Sequence, residues 1–225
     1  MKTWIKICAQ TNLPDALASY EAGADAVGFV FAESKRQVTP SQARSIIAQL
    51  PAGGEKIGVF VNESAEEISK TVHSTGLTGV QLQGGESPDY LRDLRAKLSP
   101  GITVIKAITA EEAEAAGIMG LLNGNDRLAD AFLIDSGNKQ QRGGTGQTFD
   151  WQRLVPVVER FRRSARLIIA GGLRSRNVAE AVALFQPYGV DVATGVESSP
   201  GKKDITRLKE FVVAVRSAEA KSATT

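Results

Sequence analysis

The sequence predicts a single-domain (β/α)8 TIM barrel. Short β-branched runs alternate with longer amphipathic segments from end to end, the signature of repeated βα units. Eight such units fit within 225 residues, and a 42% apolar composition supplies one sizeable core. The same units wound as an open sheet are the runner-up.

Each unit has its own signals. The first strand is predicted over Ile5–Cys8, and its helix over Pro14–Ala22, with Asn12 placed to cap it and Pro14 suited to its first turn. A second strand, Ala26–Phe31, leads to a helix over Thr39–Leu50, where Thr39-Pro40 repeats the start signal. Lys56–Val61 precedes Ala65–Thr75, and Gly79–Gln83 precedes Pro88–Leu98, begun by Ser87-Pro88. Thr103–Ile108 precedes Ala110–Leu122, Ala131–Asp135 precedes Trp151–Arg163, and Leu167–Gly171 precedes Asn177–Phe185. Gly189–Ala193 completes the set before Ile205–Arg216, for which Asp204 is the cap. The barrel is expected over residues 1–217, and the small, polar residues 218–225 are expected to fray as a tail.

Composition excludes several classes. The formal net charge of +2 comes from interspersed Lys and Arg without a basic block, so no nucleic acid partner is expected. No apolar stretch reaches the roughly 20 residues of a membrane helix. A single cysteine rules out an intramolecular disulfide and, with no apolar leader, points to a reducing, cytoplasmic setting. The single histidine, His73, falls within a helical segment, which leaves neither a His-based triad nor a His-rich metal site, and no metal is expected.

In a barrel, chemistry sits at the C-terminal ends of the strands. Cys8 shares a strand face with Lys6, which would help form a thiolate; the alternative is a small buried hydrophobe. Asp135 ends an apolar run and must be solvated, paired or used. Burial beside a phosphate would keep it partly protonated, as a general acid must be; otherwise it caps a turn. The loop Gly143-Gly144-Thr145-Gly146 follows it and suits an anion cradle, as do the glycines after strands seven and eight: Gly171-Gly172 and Thr194-Gly195. Ser198-Ser199-Pro200-Gly201 is expected to start a short extra helix over the phosphate. Arg36 lies in the loop after strand two, where a guanidinium can grip a carboxylate, and Gln83 ends strand four. Trp4, Tyr20 and Phe29 read as packing residues.

The order and spacing of many segments resemble one family. Lys6-Ile7-Cys8, Gly23 to Phe31, Ser34-Lys35-Arg36, Gly58 to Asn62, Val80-Gln81-Leu82, Gly143 to Gly146 with Phe149-Asp150-Trp151, Gly171-Gly172-Leu173, Gly195-Val196-Glu197 and Pro200-Gly201 with Lys203-Asp204 together resemble phosphoribosylanthranilate isomerase, from Lys6 to about Val213. That resemblance implies an Amadori rearrangement in tryptophan biosynthesis without a cofactor, on a small phosphoribosyl substrate, by a monomer or homodimer. It implies Asp135 as general acid, Cys8 as general base, Arg36 on the anthranilate carboxylate, Gln83 and Asp191 on the substrate, and Gly144, Gly172, Thr194 and Gly195 around the phosphate.

The chain departs from the family pattern at three of these places. Ala9 follows the base where the family usually has glycine, and its methyl is expected to resist a positive φ. Gln83 replaces the usual histidine and cannot carry a proton near neutral pH. Thr194 replaces serine and keeps the hydroxyl. Sister barrels fit less well. The phosphoribosyl-formimino isomerase has aspartate where Cys8 stands, and indole-glycerol-phosphate synthase would need a longer N-terminus and a Lys/Glu set that Lys106 only partly matches. A non-catalytic phosphosugar-binding barrel is the rival from another class.

Overall fold

The computed structural model describes residues 2–114, 128–135, 151–161 and 165–222. Eight parallel strands close into a barrel in chain order: β1 (Trp4–Ile7), β2 (Ala26–Val30), β3 (Glu55–Phe60), β4 (Gly79–Leu82), β5 (Thr103–Thr109), β6 (Ala131–Asp135), β7 (Arg166–Ile169) and β8 (Gly189–Val192). Closure is made by β8 against β1, with Trp4 opposite Gly189 and Ile7 opposite Val192. The alternation of strand and helical patterns therefore resolves as the closed barrel and not the open sheet.

Around it lie α1 (Leu13–Glu21), α2 (Pro40–Ile47), α3 (Ala65–Thr75), α4 (Pro88–Lys97), α5 (Ala110–Glu114), α6 (Trp151–Phe161), α7 (Ser175–Phe185) and α8 (Ile205–Ser222). Their starts follow the expected cap chemistry. Asn12 accepts from the Asp15 N–H at 2.9 Å, Thr39 and Gln42 form a capping box, Ser87 accepts from the Tyr90 N–H at 3.2 Å, and Asp204 accepts from Thr206 and Arg207. One start differs by more than a residue: α7 begins two residues early, where Asn177 Oδ1 accepts from the Arg174 N–H at 2.7 Å and fixes the turn ahead of it.

The first part of the expected tail is helical, and 223–225 lie outside the described residues. Helix α8 runs on to Ser222 because its last turns are bound to the base of the barrel. Ala218 is buried, Glu219 accepts from the Thr3 N–H at 2.7 Å, and Arg216 bridges the Thr3 carbonyl and Asp25. Among the described residues no helix is long and apolar enough to cross a membrane.

Side chains alternate in and out along each strand. The outward set packs against the helices in two large apolar clusters, with Phe29, Ile68 and Leu94 in one and Phe132, Phe185 and Phe211 in the other. The inward set fills the barrel with Trp4, Ala26, Ile57, Ile105, Leu133 and Ile168. Trp4 and Phe29 are thus buried packing residues as expected, and the Tyr20 hydroxyl donates to the Glu55 carbonyl at 2.6 Å. Toward the C-terminal mouth the inward set turns polar, with buried Lys6, Gln81 and Asp191.

Candidate active site

Cys8 follows β1 directly, its N–H donating to the Val192 carbonyl at 2.8 Å, and it is buried. Gly28 on β2 leaves it room: a Cβ there would stand 2.8 Å from Cys8 Sγ. The environment does not favour the thiolate as the sequence suggests. Burial pushes the thiol above its ordinary value and the carboxylate of Asp191 adds to that, outweighing the opposing effect of Lys6 and Lys203.

Ala9 corrects another expectation, for its methyl does not prevent a positive φ. It takes φ +64° while buried, so the strand exit keeps the left-handed turn. Ala9→Gly is expected to change stability by less than about 1 kcal/mol. Relief of roughly 1–2 kcal/mol of left-handed strain is offset by the greater entropy of an unfolded glycine and by loss of a buried methyl. Ala9→Val, whose branched side chain suits neither the φ nor the space, is expected to cost about 2–4 kcal/mol. Urea unfolding midpoints of the two variants check the pair.

Asp135 ends β6, half-buried, and Gln83 Nε2 donates to its Oδ2 at 3.3 Å. An open cleft lies beside it, walled by Asp135, Gly171, Gly172, Asp191, Thr194 and Gly195 among others. The turn glycines are required here. Gly171 and Gly172 take φ of +85° and +63°, and a Cβ on Gly195 would lie 1.9 Å from the Leu173 carbonyl oxygen. The structure thus brings Asp135, Asp191, Gly172, Thr194 and Gly195 together on one cleft, while Gly144 and the rest of Gly143 to Gly146 lie outside the described residues.

The helix expected at Ser198-Ser199-Pro200-Gly201 is not formed. Glu197–Ser199 (β9) and Lys202–Lys203 (β10) make a small antiparallel hairpin, and the short helix here is instead a 3-10 turn at Thr194–Val196. Pro200 followed by Gly201 at φ +80° is the chemistry of a type II turn, which reverses the chain where a helix would continue it.

That hairpin brings in two residues to which the sequence reading gave no role. Glu197 takes Arg36 in a fork, with Nε to Oε1 at 2.9 Å and Nη2 to Oε2 at 2.7 Å, and Lys203 Nζ lies 3.3 Å from Oε1. Burial opposes the Glu197 charge, yet Arg36 and Lys203 hold its carboxyl below the usual value. The fully buried Lys203 side chain also donates to the Cys8 carbonyl at 2.5 Å, tying the hairpin to the exit of β1. Its own pKa is lowered, because burial outweighs the pull of Glu197.

Across the barrel, Lys6 Nζ pairs with Asp191 at 2.8 Å and donates to Gln81 at 2.9 Å. Burial opposes the Lys6 charge, but Asp191 and Cys8 raise its pKa. Gln81 received no role from the sequence either, although counting inward by two from Gln83 places it inside the barrel, where an amide has to be paired. Lys106 is no free amine. It donates to the Gly84 and Ala107 carbonyls and pairs with Glu86 at 2.9 Å, clamping the ends of β4 and β5. His73 sits on the exposed side of α3, away from the mouth.

A closed barrel with a thiol, two carboxylates and a glycine-walled cleft gathered at its C-terminal mouth defines a (β/α)8 enzyme. A family profile described as N-(5'phosphoribosyl)anthranilate (PRA) isomerase matches residues 5–214. An N-(5'-phosphoribosyl)anthranilate isomerase of Pelobacter propionicus is 42% identical over 209 residues, covering 92% of this chain and 93% of the relative. The enzyme of the same name from Bacillus cereus is 43% identical, with 93% and 96% covered. Among solved structures, phosphoribosyl anthranilate isomerase from Thermotoga maritima superimposes with a TM-score of 0.82 at 37% identity, covering 96% of this chain and 99% of that one. A phosphoribosyl anthranilate isomerase in complex with reduced 1-(o-carboxyphenylamino)-1-deoxyribulose 5-phosphate gives 0.80 at 37% identity over the same shares. The chain belongs to the N-(5'-phosphoribosyl)anthranilate isomerase family.

Proposed function

We propose that Asp135 and Cys8 are the general acid and general base of an Amadori rearrangement that converts N-(5'-phosphoribosyl)anthranilate to 1-(2-carboxyphenylamino)-1-deoxyribulose 5-phosphate. The activity is that of an aldose–ketose isomerase of tryptophan biosynthesis. Asp135, protonated, gives its proton to the ribose ring oxygen as the C1'–O bond breaks, and the amine lone pair forms the Schiff base. Cys8, as thiolate, takes the C2' proton, and the electron pair moves into a C1'=C2' bond to leave an enolamine. Tautomerisation then moves the C2' hydroxyl hydrogen to C1' and gives the ketone. The observation that carries this reading is the cleft itself: Gly172, Thr194 and Gly195 line it together with Asp135 and Asp191, and Asp191 shares Lys6 with Cys8. A phosphate seated on those turns delivers the ribose to the acid.

Arg36 holds the anthranilate carboxylate in this reading. Glu197 holds its Nε and Nη2, and Nη2 also reaches the hydroxyl of Thr194, on the cleft wall, at 3.5 Å. Asp191 and Gln83 complete the substrate contacts. The setting is cytoplasmic, where a lone catalytic thiol stays reduced. The test is to mix freshly generated N-(5'-phosphoribosyl)anthranilate with the purified protein and follow loss of substrate fluorescence. Steady turnover is expected, and its absence would end the proposal. In the same assay Arg36→Ala is expected to raise KM by about ten- to a hundredfold with a smaller change in kcat, and an unchanged KM would remove the carboxylate clamp.

A further inference from the structure

Gln81 touches neither the cleft nor the reacting groups, yet it lies in an unbroken line of hydrogen bonds across the barrel. Asp191 Oδ1 accepts a hydrogen bond from Lys6 Nζ at 2.8 Å, and Lys6 Nζ donates to Gln81 Oε1 at 2.9 Å. Gln81 Nε2 donates to Gln83 Oε1 at 2.8 Å, and Gln83 Nε2 donates to Asp135 Oδ2 at 3.3 Å. The line runs from β8 through β1 and β4 to the end of β6, and its inner members are buried.

An amide accepts at one end and donates at the other, so a pair of glutamines in series can point in either direction. Only a neighbour of single polarity fixes the choice. Lys6 is such a neighbour, because an ammonium donates and never accepts, and Asp191 holds it in place. Starting from Lys6, Gln81 must turn its oxygen inward and its N–H to Gln83, and Gln83 must in turn present an N–H to Asp135. Reversing Gln81 would set its oxygen against that of Gln83, and reversing Gln83 alone would set its N–H against that of Gln81.

We infer that Lys6 and Gln81 are positioning residues for Asp135, setting the direction of an amide relay so that Gln83 meets the carboxyl with an N–H and not a carbonyl. The inference rests on the assignment of Asp135 as the acid. A donor at that point fixes the carboxyl orientation and stabilises the negative charge that grows on Asp135 as it gives up its proton. A carbonyl there would oppose the same charge. Position 83 then needs a side chain that accepts from Gln81 and donates to Asp135, a demand that glutamine meets and that an imidazole also meets.

Gln81→Glu tests this at nearly constant volume. A carboxylate at position 81 still accepts from Lys6 but gives Gln83 no donor, so the Gln83 amide turns and faces Asp135 with its oxygen. The expected result is a fall in kcat of about ten- to a hundredfold with KM within about twofold. Adding Gln83→His is expected to restore most of that kcat, since an imidazolium donates at both ends, a recovery that loss of packing would not produce. Should Gln81→Glu fail to fold, Gln81→Met removes the donor without adding charge and carries the same expectation of a lower kcat at retained KM. A kcat equal to wild type in the folded variant at position 81, or no recovery on adding Gln83→His to Gln81→Glu, would overturn the relay. Asp135→Asn in the same assay separates the two ideas. Turnover retained in that variant removes the acid itself, whereas turnover lost there but intact in Gln81→Glu removes only the relay.

Discussion

Asp135→Asn is expected to lower kcat by about 10²- to 10⁴-fold, and Cys8→Ala by a similar factor, while both variants keep the fold. The effects are large because each replacement deletes one proton transfer and leaves the rest of the mouth in place. An asparagine at 135 keeps a hydrogen-bond partner for Gln83 but has no proton to give the ring oxygen. An alanine at 8 fits the narrow space beside Gly28 but removes the only thiol. Near-wild-type turnover in either variant would sink that residue's role.

The thiol adds a pH dependence whose direction follows from its surroundings. Burial holds the Cys8 thiol above its ordinary value, so at neutral pH the free protein carries it mainly protonated, and the thiolate fraction grows as pH rises. Because Cys8 is the only cysteine, thiolate absorbance in the ultraviolet reports this one group. Its titration midpoint is expected above that of a free thiol. Lys6→Met should move it higher still, since that substitution deletes one of the two cations that favour the thiolate. A midpoint below the ordinary thiol value would mean that Lys6 and Lys203 outweigh burial.

Much of this architecture was legible in the residues themselves. The periodicity of the βα units placed seven of the eight strands within a residue of their observed ends and the remaining one, β7, within two, because a parallel strand buried on both faces leaves an apolar run that few other structures need. Asp135 and the turns at Gly171-Gly172 and Thr194-Gly195 were legible for the same reason: strand count plus the barrel rule puts them at the mouth. What stayed hidden was pairing between distant residues. Nothing local in Glu197 reveals that it closes on Arg36, 161 positions away in the chain, or in Gln81 that it meets Lys6, 75 positions away. The left-handed turn at position 9 was hidden for another reason. Alanine does not advertise a positive φ as glycine does, and the conformation there is imposed by the burial and bonding around Cys8 and Lys203.

Glu197→Ala is expected to destabilise the protein by about 3–5 kcal/mol, the typical result of removing one partner from a buried ion pair. The side chain of Glu197 is 3% exposed, and it serves two cations at once. Without it, the fully buried Lys203 ammonium keeps, among the described residues, the Cys8 carbonyl alone, and Arg36 loses both arms of its fork. The hairpin would lose the Gly201 N–H contact to Oε1 as well. Urea unfolding measures the loss, and a change below about 1 kcal/mol would show that the cluster is not a stability element. The sign of the linked pH effect is fixed too. A carboxyl whose folded-state pKa is depressed contributes stability above its unfolded value, and that contribution disappears as pH falls through the folded value. Wild-type stability should therefore drop in the acid range more steeply than that of Glu197→Gln, which has no charge there to lose. Since the same guanidinium is proposed to hold the substrate carboxylate, Glu197→Ala should also raise KM. An Arg36 released from its buried partner is free to swing into solvent, so substrate binding would have to supply the ordering that Glu197 provides in the free enzyme.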